Sequence, residues 1–251
     1  VKKRGLCLLL CCVGFVACSQ DKPYNNTGQF WGEIDMLGKV SSKVKWQFDV
    51  QYSRQSPYEK YNLFRYNAQL TVRGWIHYFP VKNFRISQFV GLWYNFPIAD
   101  VGAREYPEIR TATQFTYYTR WKKNMLANRL RPEIRIIRDR SFNYEPVFRA
   151  RYQVKYQRLL THEAYDKNSL YFIAFDEVFV NGTSNVTGNR LFDQNRVFVG
   201  LGFNCTDDIA IETGYFNQLQ QHAHDANKDV NHVWQLSLII DNISFKGAKG
   251  S

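Results

Sequence analysis

From residue 44 to residue 241 the chain alternates between apolar and polar positions with a period of two. Successive side chains of a strand point to opposite faces, so this period predicts strands with one apolar and one polar side. The clearest stretch runs from Phe64 to Phe79. Its even positions read Phe64, Tyr66, Ala68, Leu70, Val72, Gly74, Ile76 and Tyr78, and its odd positions Arg65, Asn67, Gln69, Thr71, Arg73, Trp75 and His77. A helix would spread these residues around its whole circumference. The same reading places strands near 44–54, 83–96, 107–121, 126–138, 147–158, 169–181, 189–205, 208–220 and 230–241, with a shorter one near 29–37. Within 169–181 the adjacent pair Asp176 and Glu177 blurs the alternation, and its faces stay unassigned.

Connections near 80–82, 122–125 and 205–207 are tight, whereas those near 55–63, 97–106, 139–146, 182–188 and 221–229 are longer. Such alternation is the habit of outer-membrane barrels, with short periplasmic turns and longer outer loops. The connection at 159–168 is longer than its slot predicts. The expected fold is all-β: an antiparallel up-and-down transmembrane β-barrel of about ten strands, with about twelve as the alternative. The stretch 29–37 is then an extra edge strand, a plug, or a sign that the count is short.

A soluble barrel with its apolar face turned inward carries the same alternation. Three features favour the inverse. Most strands run to eleven residues or more, at or beyond the roughly 9–11 that a tilted strand needs to span a bilayer. Aromatic residues flank the apolar faces (Tyr66 and Tyr78, Phe84 and Phe96, Phe148 and Tyr156), as in interfacial girdles. The polar faces hold Arg with occasional Glu, and the planar guanidinium suits packed ion networks in a confined space.

The N-terminus reads as an address. Lys2, Lys3 and Arg4 precede an apolar run from Gly5 to Cys18, too short for a comfortable transmembrane helix but suited to a signal-peptide core. Two processing readings stand open. Ala17-Cys18-Ser19 favours cleavage before Gln20, whereas Phe15-Val16-Ala17-Cys18 resembles a lipobox that would leave Cys18 lipidated. Cys7, Cys11, Cys12 and Cys18 all lie in this segment, which leaves Cys205 and no disulfide framework. The expected organisation is a signal peptide at 1–19, a periplasmic N-terminal segment at 20–43, the barrel at 44–245 and a tail at 246–251.

Composition changes this picture in one respect. With 33 Lys+Arg against 22 Asp+Glu the 251-residue chain carries a formal charge of +11, beside 45% hydrophobic residues. Its mean hydropathy of −0.43 excludes a bundle of membrane helices. Assigned to strands, most of that charge falls on the enclosed face. The expected lumen network comprises Arg65, Arg73, Arg110, Arg129, Arg131, Glu133, Arg135, Arg149, Arg151, Glu177, Arg196 and Glu212, with Arg85, Glu108, Arg120 and Lys155 beside them. A basic chain also raises nucleic-acid binding, but a stacking platform needs aromatics and arginines on one face, and here they segregate. No nucleic-acid partner is expected.

Several short motifs carry a resemblance. Asn128-Arg129-Leu130-Arg131-Pro132-Glu133-Ile134-Arg135 is followed by Arg149-Ala150-Arg151, Asp176-Glu177-Val178-Phe179-Val180-Asn181, Gln194-Asn195-Arg196, Gly200-Leu201-Gly202-Phe203 and Gly214-Tyr215-Phe216-Asn217-Gln218. In this order they resemble an uncharacterised group of Gram-negative outer-membrane β-barrel proteins, over roughly residues 29–241. The resemblance implies fold and outer-membrane location and supplies no activity. Pro132 departs from the pattern and suggests a bulge, because proline cannot donate to the ladder. The end departs as well: Phe245 is followed by a polar tail rather than closing the chain.

Candidate chemistry is thin. Outer-membrane proteases need acidic and histidine residues at the outer rim, and Asp207-Asp208 falls on a turn assigned to the periplasm. A Ser–His site needs a histidine near a nucleophile, and His77 and His162 have no evident partner in sequence. His222, His224 and His232 have metal-like spacing but read as incidental members of a polar loop. No cofactor, metal or catalytic residue is expected. The reading is a monomeric outer-membrane protein, in contact with membrane lipids, whose mostly filled Arg/Glu lumen serves a structural or binding role or limited passage of small anions. The alternatives are an outer-membrane enzyme of the protease or lipid-modifying type, and a soluble periplasmic β-barrel binding an acidic ligand.

Overall fold

The computed structural model describes residues 24–103, 105–138, 142–161, 164–222 and 227–243. Signal peptide, Cys18, His162, His224, Phe245 and the tail lie outside them. Eleven strands close a barrel: β1 (Tyr24–Lys39), β2 (Val44–Gln55), β3 (Tyr66–Val81), β4 (Phe84–Asn95), β5 (Tyr106–Trp121), β6 (Asn124–Arg138), β7 (Tyr144–Leu159), β8 (Leu170–Asn181), β9 (Phe192–Asn204), β10 (Ile209–Gln221) and β11 (Lys228–Ile240). Each strand pairs antiparallel with the next in sequence. The seam is parallel: β1 lies against β11 from Tyr24↔Lys228 to Met36↔Ile240. With an odd number of up-and-down strands the first and last run the same way, so closure requires it.

The eleven strands lie between the expected count of about ten and the alternative of twelve. The stretch read as 29–37 is the middle of β1, a wall strand that also pairs with β2 from Gln29↔Gln55 to Lys39↔Lys45. The barrel begins at Tyr24 and not at residue 44. One consequence is directional: β1 starts at the end that carries the long loops, and β11 finishes at the end that carries the short turns. Two-residue turns at 82–83 and 122–123 mark that second end, and the longer connection 160–169 sits among them.

Parallel pairing is slightly weaker per residue than antiparallel, and here the β2–β3 loop clasps the seam. The amide of Ser56 donates to Gly28 O and that of Glu59 to Asn26 O, both at 2.8 Å. The Gly28 amide donates to Ser56 Oγ at 2.9 Å. Phe64 meets Phe30 at a ring separation of 5.1 Å, and Tyr61 meets His232 at 6.3 Å. A Cβ at residue 28 would lie 2.5 Å from the Leu63 side chain, so a larger residue there would push Leu63 aside.

Pro132 produces no bulge. The β6–β7 register runs unbroken through Pro132↔Ala150, and β5–β6 keeps one register on either side of the proline. The register shifts instead at Ser53/Arg54, between Tyr78 and Val81, and at Phe179/Val180.

The two faces of the wall are opposite in character. Outward side chains are apolar and exposed, among them Ile34, Phe48, Leu70, Ile76, Leu92, Leu130, Ile134, Leu201 and Leu236. Polar groups that reach this face pair with one another, Gln88 with Thr111 and Thr113, and Asp176 with Asn195. Inward side chains include the buried Asp49, Glu108, Arg131, Glu133, Arg149 and Glu177. Two apolar clusters fill the rest of the interior. One is Trp75, Phe89, Trp93 and Ala112; the other is Leu159, Tyr171, Ile173, Phe198, Phe216 and Val233, with Trp31 and Phe175 against it. No helix is long and apolar enough to cross a membrane, which says nothing of a β-barrel.

Candidate functional site in the barrel lumen

Strand alternation delivers every second side chain to the interior, and the register of neighbouring strands decides which charges meet. Ile109↔Ile136 and Arg110↔Arg135 place Glu108 between two guanidinium groups. Arg110 donates to its carboxylate at 2.7 and 2.9 Å, and Arg135 at 2.5 and 3.1 Å. One wall over, Glu133 accepts from Arg149, which also reaches Asp193 at 3.1 Å. Arg151 lies 3.5 Å from Glu133 and donates to Glu177 at 2.9 Å, while Arg129 donates to Glu177 at 2.6 Å. Buried charges are tolerated when paired and hydrogen-bonded, and these carboxylates each serve two arginines.

Aromatic rings also lie against these guanidinium groups. The Arg151, Arg196 and Arg149 guanidiniums lie 4.3, 4.9 and 5.2 Å from the centroid of fully buried Phe179. Arg110 lies over Trp93 at 4.0 Å, and Arg131 over Trp75 at 5.1 Å. In desolvated positions such contacts contribute about 2 kcal/mol. Arg131 and Arg196 complete their shells with Gln114 and Gln218. Arginines and aromatics thus interleave inside the barrel, contrary to the segregation read from the strands, because inward positions of β3, β4, β8 and β9 include Trp75, Phe89, Trp93, Phe179 and Phe198. Enclosure keeps them from forming an open platform.

Two predicted members stand elsewhere. Arg65 is on the exposed loop before β3, with its amide bonded to Asn62 O. The alternation had been extended past the strand's first residue, Tyr66. Glu212 faces the interior but accepts from Tyr171 Oη at 2.9 Å rather than from an arginine. Arg73 forms a separate group with Glu33 and Asp49. Trp75 Nε1 donates to Asp49 at 2.7 Å, and Gln47 donates to Asp35 and Asp49 at 3.1 and 3.2 Å. Glu33 and Asp35 escaped sequence reading because β1 was not counted. The carboxylates of Glu33, Asp35 and Asp49 could together hold a metal ion, but Arg73 already supplies the positive charge there.

Over residues 28–229 the chain matches the family described as protein of unknown function (DUF2490). It belongs to that family. Neither a curated protein nor a solved structure matches it. The family domain thus spans nearly all of the wall, from within β1 to the start of β11, and includes every arginine and carboxylate of the networks just described.

The DUF2490 barrel also resolves the histidines. His77 has partners that sequence could not show: Ser87 Oγ at 2.8 Å from Nδ1 and Gln47 Oε1 at 2.9 Å from Nε2. A Ser–His contact is the start of a nucleophilic site, yet Ser87 and His77 are 1% and 3% exposed and Trp75 stacks on the imidazole. His222 pairs with Asp229 at 2.9 Å on the inward side, whereas His232 points outward and meets Tyr215 Oη at 2.7 Å. His222, just past the end of β10, and His232 thus turn to different partners on opposite sides of the wall.

Proposed function

We propose that this protein is a non-catalytic outer-membrane β-barrel whose interior is closed by side chains, serving a structural or binding role with at most limited passage of small anions. One observation carries the reading. The exposed face of the wall is apolar and the charged residues are enclosed, the inverse of a water-soluble barrel. Exposed aromatics support it: Tyr78, Tyr117 and Trp121 lie toward the short-turn end, and Tyr24, Tyr52 and Tyr144 toward the other, as interfacial girdles do. The Arg–Glu and Arg–aromatic contacts argue for a plug of packed side chains. Membrane lipids are then the principal partners, and no cofactor is invoked.

Refolding the urea-unfolded chain into lipid vesicles tests both halves. Insertion should give a faster-migrating band on unheated gels, and planar bilayers should show no porin-sized conductance steps. Failure to insert refutes the membrane reading. Large, persistent steps refute the plug.

A further inference from the structure

Arg85 on β4, Thr116 on β5 and Arg129 on β6 form a single row across the inner wall, through the pairs Arg85↔Thr116 and Thr116↔Arg129. Strands lie about 4.8 Å apart, so the two arginines start roughly 10 Å apart with the threonine between them. The Nε atoms of Arg85 and Arg129 are buried and have no hydrogen-bond partner among the described residues. Among the described residues Arg85 makes no ion pair, and its guanidinium lies 5.7 Å from the Tyr118 ring. Neighbouring acceptors are committed: Ser87 Oγ to His77, and Gln114 Oε1 to Arg131. Thr116 Oγ1 accepts from Gln114 Nε2 at 3.2 Å, which leaves its own hydroxyl hydrogen to donate. Arg129 keeps Glu177 through Nη2 at 2.6 Å, so the donors of the row left without an acceptor are the Arg85 and Arg129 Nε groups and the Thr116 hydroxyl hydrogen.

We place the approach to the row at the short-turn end. A cavity of about 380 Å³ opens there, lined in part by Arg120. Between its rim and the row lies one layer of the wall, where Tyr118 is opposite Ala127. Arg120 and Arg85 both face the Tyr118 ring, at 4.7 and 5.7 Å.

The geometry points to a binding site for a small free oxyanion of the phosphate type, held by Arg85 Nε, Arg129 Nε and the Thr116 hydroxyl. Guanidinium groups match phosphate oxygens in geometry as well as charge, and a halide would not offer separate oxygens to the three donors. Depth selects a free anion over a lipid headgroup, because the row lies inside the mouth and its neighbours are side chains. The site stands on lumen geometry alone and does not require a membrane location.

The test is titration of the folded full-length chain in detergent with inorganic phosphate at fixed ionic strength, read by calorimetry and by the thermal midpoint. Saturable binding near one phosphate per chain is expected, with a higher midpoint in phosphate than in chloride. Absence of saturable heat up to tens of millimolar overturns the assignment. R85Q should weaken binding about tenfold or more; an unchanged affinity in a folded R85Q places the phosphate elsewhere and overturns the site. If R85Q fails to fold, T116V decides, because it removes one donor while keeping the shape. Several-fold weaker binding supports the row and equal binding refutes it.

Discussion

Glu108→Gln is the most informative single perturbation of the lumen. The carboxylate is 1% exposed and accepts four hydrogen bonds from Arg110 and Arg135. Glutamine keeps one of its two acceptor oxygens and turns the other position into a donor that faces guanidinium N–H groups. About half of the charge-assisted bonds are lost, at about 1.5–3 kcal/mol each. Two buried cations also lose their counter-charge, and breaking a buried pair on one side costs about 3–5 kcal/mol. These overlap because they describe the same loss, and the expected destabilisation is about 3–5 kcal/mol. The assay is equilibrium urea unfolding from lipid vesicles, with the unheated gel shift as readout. Asp241→Asn, which removes the partly exposed pair with Lys45, is the comparator and should cost no more than about 1 kcal/mol. If Glu108→Gln falls within the comparator's range, the lumen is solvated rather than packed, and the plug is wrong.

Further outcomes follow from the facing and direction of the wall. Leu130 lies near the middle of β6 and is 48% exposed; Leu130→Arg should destabilise the vesicle-inserted barrel by about 2–4 kcal/mol, and an unchanged urea midpoint would contradict a lipid-facing position. Given an outer-membrane location with short turns in the periplasm, Tyr24→Cys and Asn185→Cys should both react with an impermeant maleimide on intact cells, while native Cys205 at the opposite end reacts only after permeabilisation. Labelling of Cys205 alone on intact cells would reverse the orientation. Partial burial opposes ionisation of Asp241, but Lys45 and the Asn242 amide hold its carboxyl below the usual aspartate range. Its contribution is therefore present above the unfolded pKa and lost as pH falls through the lower folded value. Asp241→Asn should remove part of the acid-limb loss measured by urea midpoints between about pH 5 and pH 2; an unaltered acid limb would show that the pair contributes nothing.

Most of the barrel was legible because period-two alternation survives wherever one face meets charge and the other does not. β3 and β7 read cleanly for that reason. β1 did not. Its outward positions include Gly28, Gly32 and Gly38, and its inward ones include Trp31 and Leu37, which weakens the contrast on both faces. Those glycines answer to neighbours: Leu63 packs where a Cβ at 28 would lie, and the Trp46 indole where one at 38 would lie. Missing β1 also hid Glu33 and Asp35, so the lumen looked more cationic than it is. The arginines of β5 to β9 were found because guanidinium groups on the polar face of a strand have few other destinations. Which carboxylate each would meet depends on register, and alternation alone does not fix register across a loop. The donor row of Arg85, Thr116 and Arg129 was hidden for the same reason, its members lying on three strands. The inward aromatics were misjudged because Phe and Trp suit lipid and a packed interior equally well.

The membrane itself is the claim on which most of this rests, and separation of cell envelopes tests it directly. After expression of the full chain, a salt-washed outer-membrane fraction should hold the protein, in a form whose gel mobility changes on heating. Recovery of folded protein in the soluble periplasm would contradict it.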